Sequence, residues 1–344
     1  MKIVMDKRIP GLEPILGRNP KLEILSKEGA DITPEDVKNA EVLFVRTRTR
    51  CDSRLLEGSG VRLLGTATIG TDHIDIPWCK ANGISVVNAP GCNAPAVMQY
   101  VATTLHAAGF DPGSEVLGVV GKGHIGSLVT DLYRSAGTRV LVCDPPRKDC
   151  GLTDEEYLQL EEILDRCDAV TFHVPYTVAD GNSESSEYPT HHLLTRQLLA
   201  NHQRPRIIVN ASRGLVVEPD AIRDDTKKFI IDTCPFEDEP DKWTAEERQE
   251  IIESAFIATP HIAGYSIEGK QRATDAMARA LQTYMGETPA SVSENSRQLH
   301  YDLKETIASF NPMQLSQELT TNPENFEKLR ASHLRPEPPE NSSK

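Results

Sequence analysis

A glycine-rich turn between two apolar segments constrains the fold of this chain more than any other feature. The β-branched run Val116–Val120 leads into Gly121, Gly123 and Gly126, which form G-x-G-x-x-G, and a segment with helical spacing follows. In such a strand–turn–helix unit the glycines permit a tight turn, close approach of a pyrophosphate and close packing of helix on strand. The helix N-terminus adds free N–H groups for phosphates. The stretch predicts a dinucleotide site, with a purely structural unit as the alternative.

The strand after this helix indicates which dinucleotide binds. Val140–Cys143 is a second apolar run and ends at Asp144, eighteen positions after Gly126. A carboxylate at this place accepts hydrogen bonds from a ribose diol and repels a 2′-phosphate, so it favours NAD over NADP. Arg147 complicates this interpretation only if its side chain turns toward the ribose instead of solvent.

Length and composition narrow the class of protein. A chain of 344 residues is long for one domain, so we expect two or three. The formal net charge of −14 argues against nucleic acid or an anionic membrane as a partner. The 7 cysteines form no C-x-x-C motif, so neither a disulfide framework nor a metal site is expected. The opening residues are typical of a strand and no apolar run is long enough to span a membrane, so we expect a cytoplasmic protein.

Strand and helix patterns alternate along most of the chain. The alternation over residues 1–88 predicts a small parallel-sheet domain before the glycine turn. After Asp144 it continues to a last strand at Phe256–Ala258, and a helix is expected from Glu268 to about Tyr284. The fold class is therefore α/β.

Polar side chains recur where the predicted strands end. Asp144, His173, Arg213, Asp232 and His261 all occupy such positions. Ligands of open α/β sheets bind beyond the carboxyl ends of the strands, so these residues are candidates for one site.

Three of the polar residues have the chemistry that oxidation of a hydroxy acid requires. His261 is the natural base because its ordinary pKa lies near physiological pH. Arg213 is the candidate cation for a substrate carboxylate, and Glu237 is the candidate carboxylate behind the imidazole. A structural role for the histidine and a simple turn at Arg213 are the alternatives.

A cluster of arginines follows the predicted strand Val42–Val45. Arg46, Arg48 and Arg50 stand in an acidic protein, where they could hold a phosphate or carboxylate. From this segment alone, anion binding and a solvated turn are equally good interpretations.

Several blocks of sequence match one family. They are Gly65–Thr68 with Gly70–His73, Asn88–Asn93, Cys143–Arg147, Thr171–Pro175, Ser212–Gly214 and Thr259–Ser266. With these blocks the chain resembles the D-isomer-specific 2-hydroxyacid dehydrogenases, from residue 1 through about 285 and weakly as far as Arg330. Three of the blocks, Asp-Pro-Pro-Arg, Pro-Gly-Cys-Asn and His-Ile-Ala-Gly-Tyr, are specific to a subfamily whose substrate carries a terminal phosphate.

The resemblance implies a domain arrangement. It implies two Rossmann-like parallel-sheet domains: a flavodoxin-like substrate domain at 1–90 and 266–285, and a doubly wound NAD-binding domain at 91–265. Residues 286–344 would form a small α+β dimerisation segment, and the protein would be a homodimer. The polar, Pro-containing and charged composition of this segment predicts a disordered tail from Arg335.

The resemblance also implies roles for single residues. Arg213 would bind the substrate carboxylate, Glu237 would pair with His261, and His261 would accept the proton. The implied NAD contacts are Gly121, Gly123, His124, Ile125, Gly126, Asp144, Val174, Ala211, Ser212, Arg213, Asp232 and Gly264. The implied contacts to a small phosphorylated 2-hydroxy acid are Arg46, Thr47, Thr68 and Tyr265, with Arg46 at the phosphate.

Two departures from the family pattern leave alternatives. Extra acidic residues precede Pro240, so counting from Asp232 selects Glu237 as the partner of the histidine, whereas counting back from Pro240 selects Glu239. The segments 107–115 and 221–228 are also shorter than usual. A dehydrogenase for another 2-hydroxy acid and a corepressor-like NAD sensor are the competing functions.

Overall fold

The computed structural model describes residues 1–151, 155–179, 186–287 and 300–340. The chain divides into two compact units, Met1–Asn93 with Ser266–Gln298 and Ala94–Tyr265 with Leu299–Lys344. Each unit is built around one parallel sheet, which confirms the predicted α/β class with two parallel-sheet domains. No helix in the described part of the chain is long and apolar enough to cross a membrane.

The first unit contains a five-stranded parallel sheet. Its order is β2-β1-β3-β4-β5, the flavodoxin-like order. The two middle strands β3 and β4 are buried along their whole length, as expected for a parallel sheet covered on both faces. The strands are β1 (Lys2–Asp6), β2 (Glu23–Lys27), β3 (Val42–Val45), β4 (Leu63–Thr66) and β5 (Ser85–Val87).

Short helices connect these strands, and their N-termini are set by local chemistry. Asp52 and Asp75 accept hydrogen bonds from N–H groups of the helices that follow them. Thr33 and Asp36 form a capping box around Pro34. The helices are α1 (Leu12–Leu16), α2 (Pro34–Val37), α3 (Ser53–Leu56) and α4 (Ile76–Ala81).

The second unit contains a six-stranded parallel sheet in the order β11-β10-β9-β8-β6-β7. The chain moves in one direction from β6 and returns on the other side at β8, which places a topological switch point between these two strands. Ligands bind at such points in open α/β sheets. The strands are β6 (Val116–Val120), β7 (Arg139–Cys143), β8 (Ala169–Phe172), β9 (Ile207–Asn210), β10 (Lys228–Ile231) and β11 (Ile257–Ala258).

In the described residues of the second unit, eight α-helices precede residue 265. The longest is almost wholly buried, and the helix that ends in the short segment 221–228 has only four residues. They are α5 (Ala94–Ala107), α6 (His124–Ser135), α7 (Pro145–Cys150), α8 (Leu160–Arg166), α9 (Arg196–Asn201), α10 (Pro219–Ile222), α11 (Pro235–Asp238) and α12 (Ala245–Ser254).

A long helix, α13 (Ile267–Tyr284), belongs to the first unit. Its buried residues Ala273, Met277 and Leu281 are four apart and so share one face. Met277 and Leu281 pack into the same apolar cluster as Phe44 of β3. The helix therefore covers one side of the first sheet.

The C-terminal segment differs from the expectation of an α+β structure. Between residues 300 and 340 the structure has helices and no strand: α14 (Leu303–Ala308), α15 (Met313–Thr321) and α16 (Phe326–Ser332). The reason lies in the spacing, because Ser316 and Leu319, like Phe326 and Leu329, are buried pairs three residues apart. Residues 288–299 and 341–344 of the expected segment lie outside the described residues.

The expected disordered tail does not begin at Arg335. This side chain is only 5% exposed and donates to the carbonyl oxygens of Ala96 at 2.9 Å and Ile262 at 2.8 Å. It also donates to Gln99 Oε1 at 2.7 Å. A guanidinium has five N–H donors, so one buried arginine satisfies several carbonyl groups at once and orders the chain around it.

Candidate active site

Two glycines of the glycine-rich turn are required by the folded structure. Gly121 has φ +89°, and a Cβ atom there would lie 2.5 Å from the carbonyl oxygen of His173 and 2.9 Å from Cγ1 of Val174. A Cβ atom on Gly126 would collide with the carbonyl oxygen of Gly121. Neither position has room for a side chain, so these glycines fix the turn between β6 and α6.

Gly123 is different because a Cβ atom there would meet no described atom within 4 Å. It is the N-cap of α6, and no side chain caps this helix. The first turn of this helix contains His124, which is exposed, and Ile125, which is half-buried. This arrangement fits the pyrophosphate of a dinucleotide, which needs close backbone approach and free N–H donors.

Asp144 is held by two backbone groups at the end of β7. Its Oδ2 accepts the N–H of Lys122 at 2.7 Å, and its Oδ1 accepts the N–H of Arg147 at 3.1 Å. The guanidinium Nε of Arg147 lies 3.9 Å from Oδ2, so this cation partly balances the carboxylate. Asp144 thus caps α7 and ties this helix to the glycine turn, and its contact with a ribose stays a prediction.

Lys122, within the glycine turn, has a charge partner that the sequence did not indicate. Its ammonium pairs with Glu155, which also accepts from Arg134 at 2.7 Å. Arg134 and Lys122, against the effect of burial, lower the pKa of Glu155 to about 2. The positive charge of the lysine side chain is thereby balanced by Glu155, while the backbone N–H of Lys122 contacts Asp144.

The loop that carries Arg213 is organised by Asn210, a residue missed in the sequence analysis. Asn210 Oδ1 accepts from the Ser212 N–H at 3.1 Å and hydroxyl at 2.8 Å, and its Nδ2 donates to the Arg213 carbonyl oxygen at 2.8 Å. Asparagine commonly forms such a turn with its side chain, so an asparagine at the end of a predicted strand could have indicated this role. Gly214 packs directly on the carbonyl group of Cys234, where a Cβ atom would clash.

Asp232 shapes the loop that carries His261. The carboxylate is 1% exposed and accepts from the Thr259 hydroxyl at 2.7 Å and from the N–H groups of Ile262 and Ala263, each at 2.8 Å. Burial raises its pKa above the ordinary value. His261 adopts φ +56°, an uncommon conformation for a non-glycine residue. The surrounding hydrogen bonds hold the histidine there, and a cofactor contact of Asp232 stays a prediction.

Glu237, and not Glu239, lies against the histidine. Glu237 Oε2 is 2.9 Å from Nδ1 of His261, and its Oε1 accepts the N–H of Cys234 at 2.9 Å, which closes a capping box at α11. Glu239 instead pairs with Lys242 at 2.8 Å. The α11 helix therefore places Glu237, and not Glu239, beside His261.

The pair has the charge arrangement of an acid–base relay. Burial would raise the pKa of Glu237, but His261, the Cys234 N–H and Arg330 outweigh it and keep the pKa below the ordinary value. An ionised carboxylate at Nδ1 keeps the proton on that nitrogen and leaves Nε2 as the atom for proton transfer. A second carboxyl group, Asp238, accepts the Leu215 N–H at 3.0 Å, and burial raises its pKa.

Tyr265 contacts an arginine from the C-terminal segment. The Nε atom of Arg330 donates to the Tyr265 hydroxyl at 3.1 Å, and Nη1 lies 3.4 Å from Glu237 Oε2. Only long-range packing brings Arg330 here, so local sequence patterns do not predict its role. Of the other predicted cofactor contacts, Ala211 is 9% exposed directly after β9, and Gly264 lies in the turn between His261 and Tyr265.

The remaining predicted substrate residues lie in the first unit. Arg46 is half-buried, with Nη1 3.5 Å from the Arg8 carbonyl oxygen, and Thr47 is exposed. Lys270, in the first turn of α13, was not predicted, and its pKa is lowered by burial and by the neighbouring Arg46. Two cations are thus close together, which is favourable only when an anion is near.

Thr68 is tied into the end of β4. Its hydroxyl donates to the Gly70 carbonyl oxygen at 3.0 Å and lies 2.7 Å from the Thr66 hydroxyl, which in turn contacts Nε2 of His73 at 3.1 Å. Among the described residues, no cluster of three or more His, Cys, Asp or Glu side chains is arranged to hold a metal ion.

Comparison with known proteins points to one family. Residues 3–294 match the model described as D-isomer specific 2-hydroxyacid dehydrogenase, catalytic domain. An erythronate-4-phosphate dehydrogenase of Bacteroides thetaiotaomicron is 36% identical over 347 residues, covering 97% of this chain and 96% of the relative. One of Marinobacter nauticus is 37% identical over 294 residues, covering 83% and 73%. The NAD-bound 3-phosphoglycerate dehydrogenase of Entamoeba histolytica has the same fold, with a TM-score of 0.64 at 23% identity over 86% of this chain and 99% of that one.

Proposed function

The chain belongs to the D-isomer specific 2-hydroxyacid dehydrogenase family, and from this premise we propose that it oxidises 4-phospho-D-erythronate at C2 with NAD. The product would be 2-oxo-3-hydroxy-4-phosphobutanoate, formed for pyridoxal 5′-phosphate (vitamin B6) synthesis. The observation that carries the proposal is the 2.9 Å contact between Glu237 Oε2 and His261 Nδ1. The name of the similar Bacteroides and Marinobacter proteins supports the choice of substrate.

His261, Glu237 and Arg213 each have a separate role in the proposed reaction. His261 Nε2 takes the proton of the C2 hydroxyl, and Glu237 stabilises the imidazolium that forms. Arg213 binds the substrate carboxylate and stabilises the developing carbonyl oxygen. Bound NAD supplies the acceptor for the hydride that leaves C2. The products are the 2-oxo acid, NADH and one proton.

The cofactor and substrate contacts are part of the same proposal. Gly123 and the first turn of α6 would hold the pyrophosphate, and Asp144 would bind the ribose and select NAD. Arg46, with Lys270 beside it, would hold the terminal phosphate of the substrate, while Thr47, Thr68 and Tyr265 would contact its other groups. We also propose that the protein is a homodimer and that it is cytoplasmic. Sedimentation of the purified protein at several concentrations would test the homodimer.

A substrate panel tests the proposal. Purified protein is mixed with NAD and either 4-phospho-D-erythronate, D-3-phosphoglycerate or D-lactate, and NADH formation is followed. We expect the highest kcat/KM with 4-phospho-D-erythronate. Faster oxidation of either other acid would overturn the substrate assignment, and tight NAD binding without turnover of any 2-hydroxy acid would favour an NAD sensor.

A pair of variants tests the phosphate contact. Arg46→Ala should raise KM for 4-phospho-D-erythronate by about tenfold or more, since a cation-to-phosphate hydrogen bond is lost. Its KM for D-lactate should be unchanged. Arg48→Ala, two residues away and exposed, is the matched control.

A further inference from the structure

Arg330 lies at the meeting point of two groups that the proposed chemistry uses. Its Nη1 atom is 3.4 Å from Glu237 Oε2 and its Nε atom is 3.1 Å from the Tyr265 hydroxyl. Nη1 is also 3.6 Å from Glu327 Oε1 on the same helix. The side chain is 20% exposed, so solvent screens this cation only partly.

One oxygen of Glu237 therefore has two nitrogen partners. Oε2 faces Nδ1 of His261 at 2.9 Å and the Arg330 guanidinium at 3.4 Å. A permanent cation beside the carboxylate keeps it ionised, and it opposes a second positive charge on the imidazole. The base of a dehydrogenation has to be neutral before it takes the proton, so this opposition favours the active form.

Other charges act on the same histidine, which makes the balance important. The carboxyl groups of Glu237, Asp232 and Asp238 all interact electrostatically with His261. Arg213 acts on Asp238, and Glu327 and Tyr265 act on Arg330.

We propose that Arg330 is a positioning residue of the active site, which fixes the Glu237 carboxylate and the Tyr265 hydroxyl and offsets the carboxyl groups around His261. The proposal rests on the proposed function only in taking His261 as the base. It makes α16 of the C-terminal segment part of the active site, in addition to any role in dimerisation.

The first test does not depend on turnover. Full-length protein labelled with ¹³C at the glutamate carboxyl carbon is titrated by NMR, and the Glu237 signal is assigned by its loss in Glu237→Gln. Arg330→Met should raise the pKa of Glu237, whereas Arg330→Lys should keep it near that of the unmodified chain. Lys328→Met removes an exposed positive charge from the same helix and should have no effect. If Arg330→Met does not fold, Arg330→Gln replaces it.

The second test uses the pH profile of the reaction. In Arg330→Met, the acidic limb of kcat/KM should move to higher pH. At neutral pH kcat/KM should fall by about tenfold or more, because the Glu237–His261 pair is no longer held in place. Arg330→Lys should restore the position of the limb. The proposal would be overturned if Arg330→Met left both the Glu237 titration and the acidic limb of kcat/KM unchanged. Equal changes in Lys328→Met would also overturn it. Absence of turnover in the unmodified chain would count against the proposed function alone, since the NMR titration still applies.

Discussion

The carboxylate of Glu237 and the imidazole of His261 lie 2.9 Å apart although 24 positions separate them in the chain. Asp232, at the end of β10, creates this contact. Its backbone carbonyl accepts the His261 N–H at 2.8 Å, while its buried carboxylate holds the following two residues. The α11 helix, which starts three residues after Asp232, presents Glu237 to the same place. One buried aspartate thus positions the relay.

The choice between the two glutamates is open to a direct comparison. Glu237→Gln should lower kcat/KM by roughly 10²-fold or more, since the amide cannot stabilise an imidazolium as a carboxylate does. Glu239→Gln should retain activity, because Glu239 pairs with Lys242 and not with the histidine. Steady-state kinetics with NAD and 4-phospho-D-erythronate measures both. Equal losses in the two variants would contradict the assignment.

Two glycines of the turn allow effects on folding and effects on cofactor binding to be measured separately. Gly123→Ala should fold with a nearly unchanged Tm, because its Cβ atom meets nothing within 4 Å among the described atoms. It should weaken NAD binding, since the methyl group occupies the space assigned to the pyrophosphate. Gly126→Ala is the counterpart, and its collision with the Gly121 carbonyl group should lower Tm as well. Calorimetric unfolding and NAD titration of both variants check this; unchanged NAD affinity in Gly123→Ala would place the pyrophosphate elsewhere.

Arg335 should be important for stability. Burial lowers its pKa to about 10, and it donates to the carbonyl oxygens of Ala96, Ile262 and Ala263. Arg335→Met removes these hydrogen bonds from buried carbonyl groups, which should cost about 3 kcal/mol in the free energy of unfolding. Chemical denaturation measures this loss, with the exposed Lys328→Met as control. A loss no larger than that of the control would show that the C-terminal anchor is dispensable.

The buried His173 should make the protein sensitive to mild acid. Burial lowers its pKa to about 3, against the ordinary value of 6.5, so the unfolded chain binds a proton that the folded chain does not between these two pH values. Stability from this group is therefore present above pH 6.5 and declines as the pH falls, by about 1.4 kcal/mol per pH unit.

Two variants isolate this contribution. His173→Gln should reduce the loss of the free energy of unfolding between pH 6.5 and 5, whatever its effect at neutral pH. His106→Gln, at an exposed position, should leave that loss unchanged. Denaturant unfolding at both pH values gives the comparison, and identical pH slopes in the two variants would show that His173 does not carry the effect.

The sequence predicts features that depend on local order and misses those that depend on long-range packing. The glycine turn, the parallel strands and the polar residues at their ends follow from short patterns. Asn210 is an exception, because its turn with Ser212 and Arg213 is local and the asparagine at the strand end could have indicated it. Lys122 and Arg330 were missed because their partners, Glu155 and Glu237, are 33 and 93 positions away.

The C-terminal segment illustrates the same limit. Its polar composition predicted a separate segment with a disordered tail from Arg335. Leu319, Phe326 and Leu329 instead belong to the apolar core of the second unit, and Arg335 is buried beside the loop of Ile262. Composition alone does not reveal that a few apolar residues and one arginine have partners elsewhere in the fold.

Transfer of deuterium from the substrate to the cofactor tests the central claim most directly. The protein is incubated with NAD and 4-phospho-D-erythronate that carries deuterium at C2, and both products are analysed by mass spectrometry. The account predicts singly deuterated NADH in equal amount with the unlabelled 2-oxo acid, and no transfer in His261→Asn. Undeuterated NADH, or label transfer that persists at full rate in His261→Asn, would contradict it.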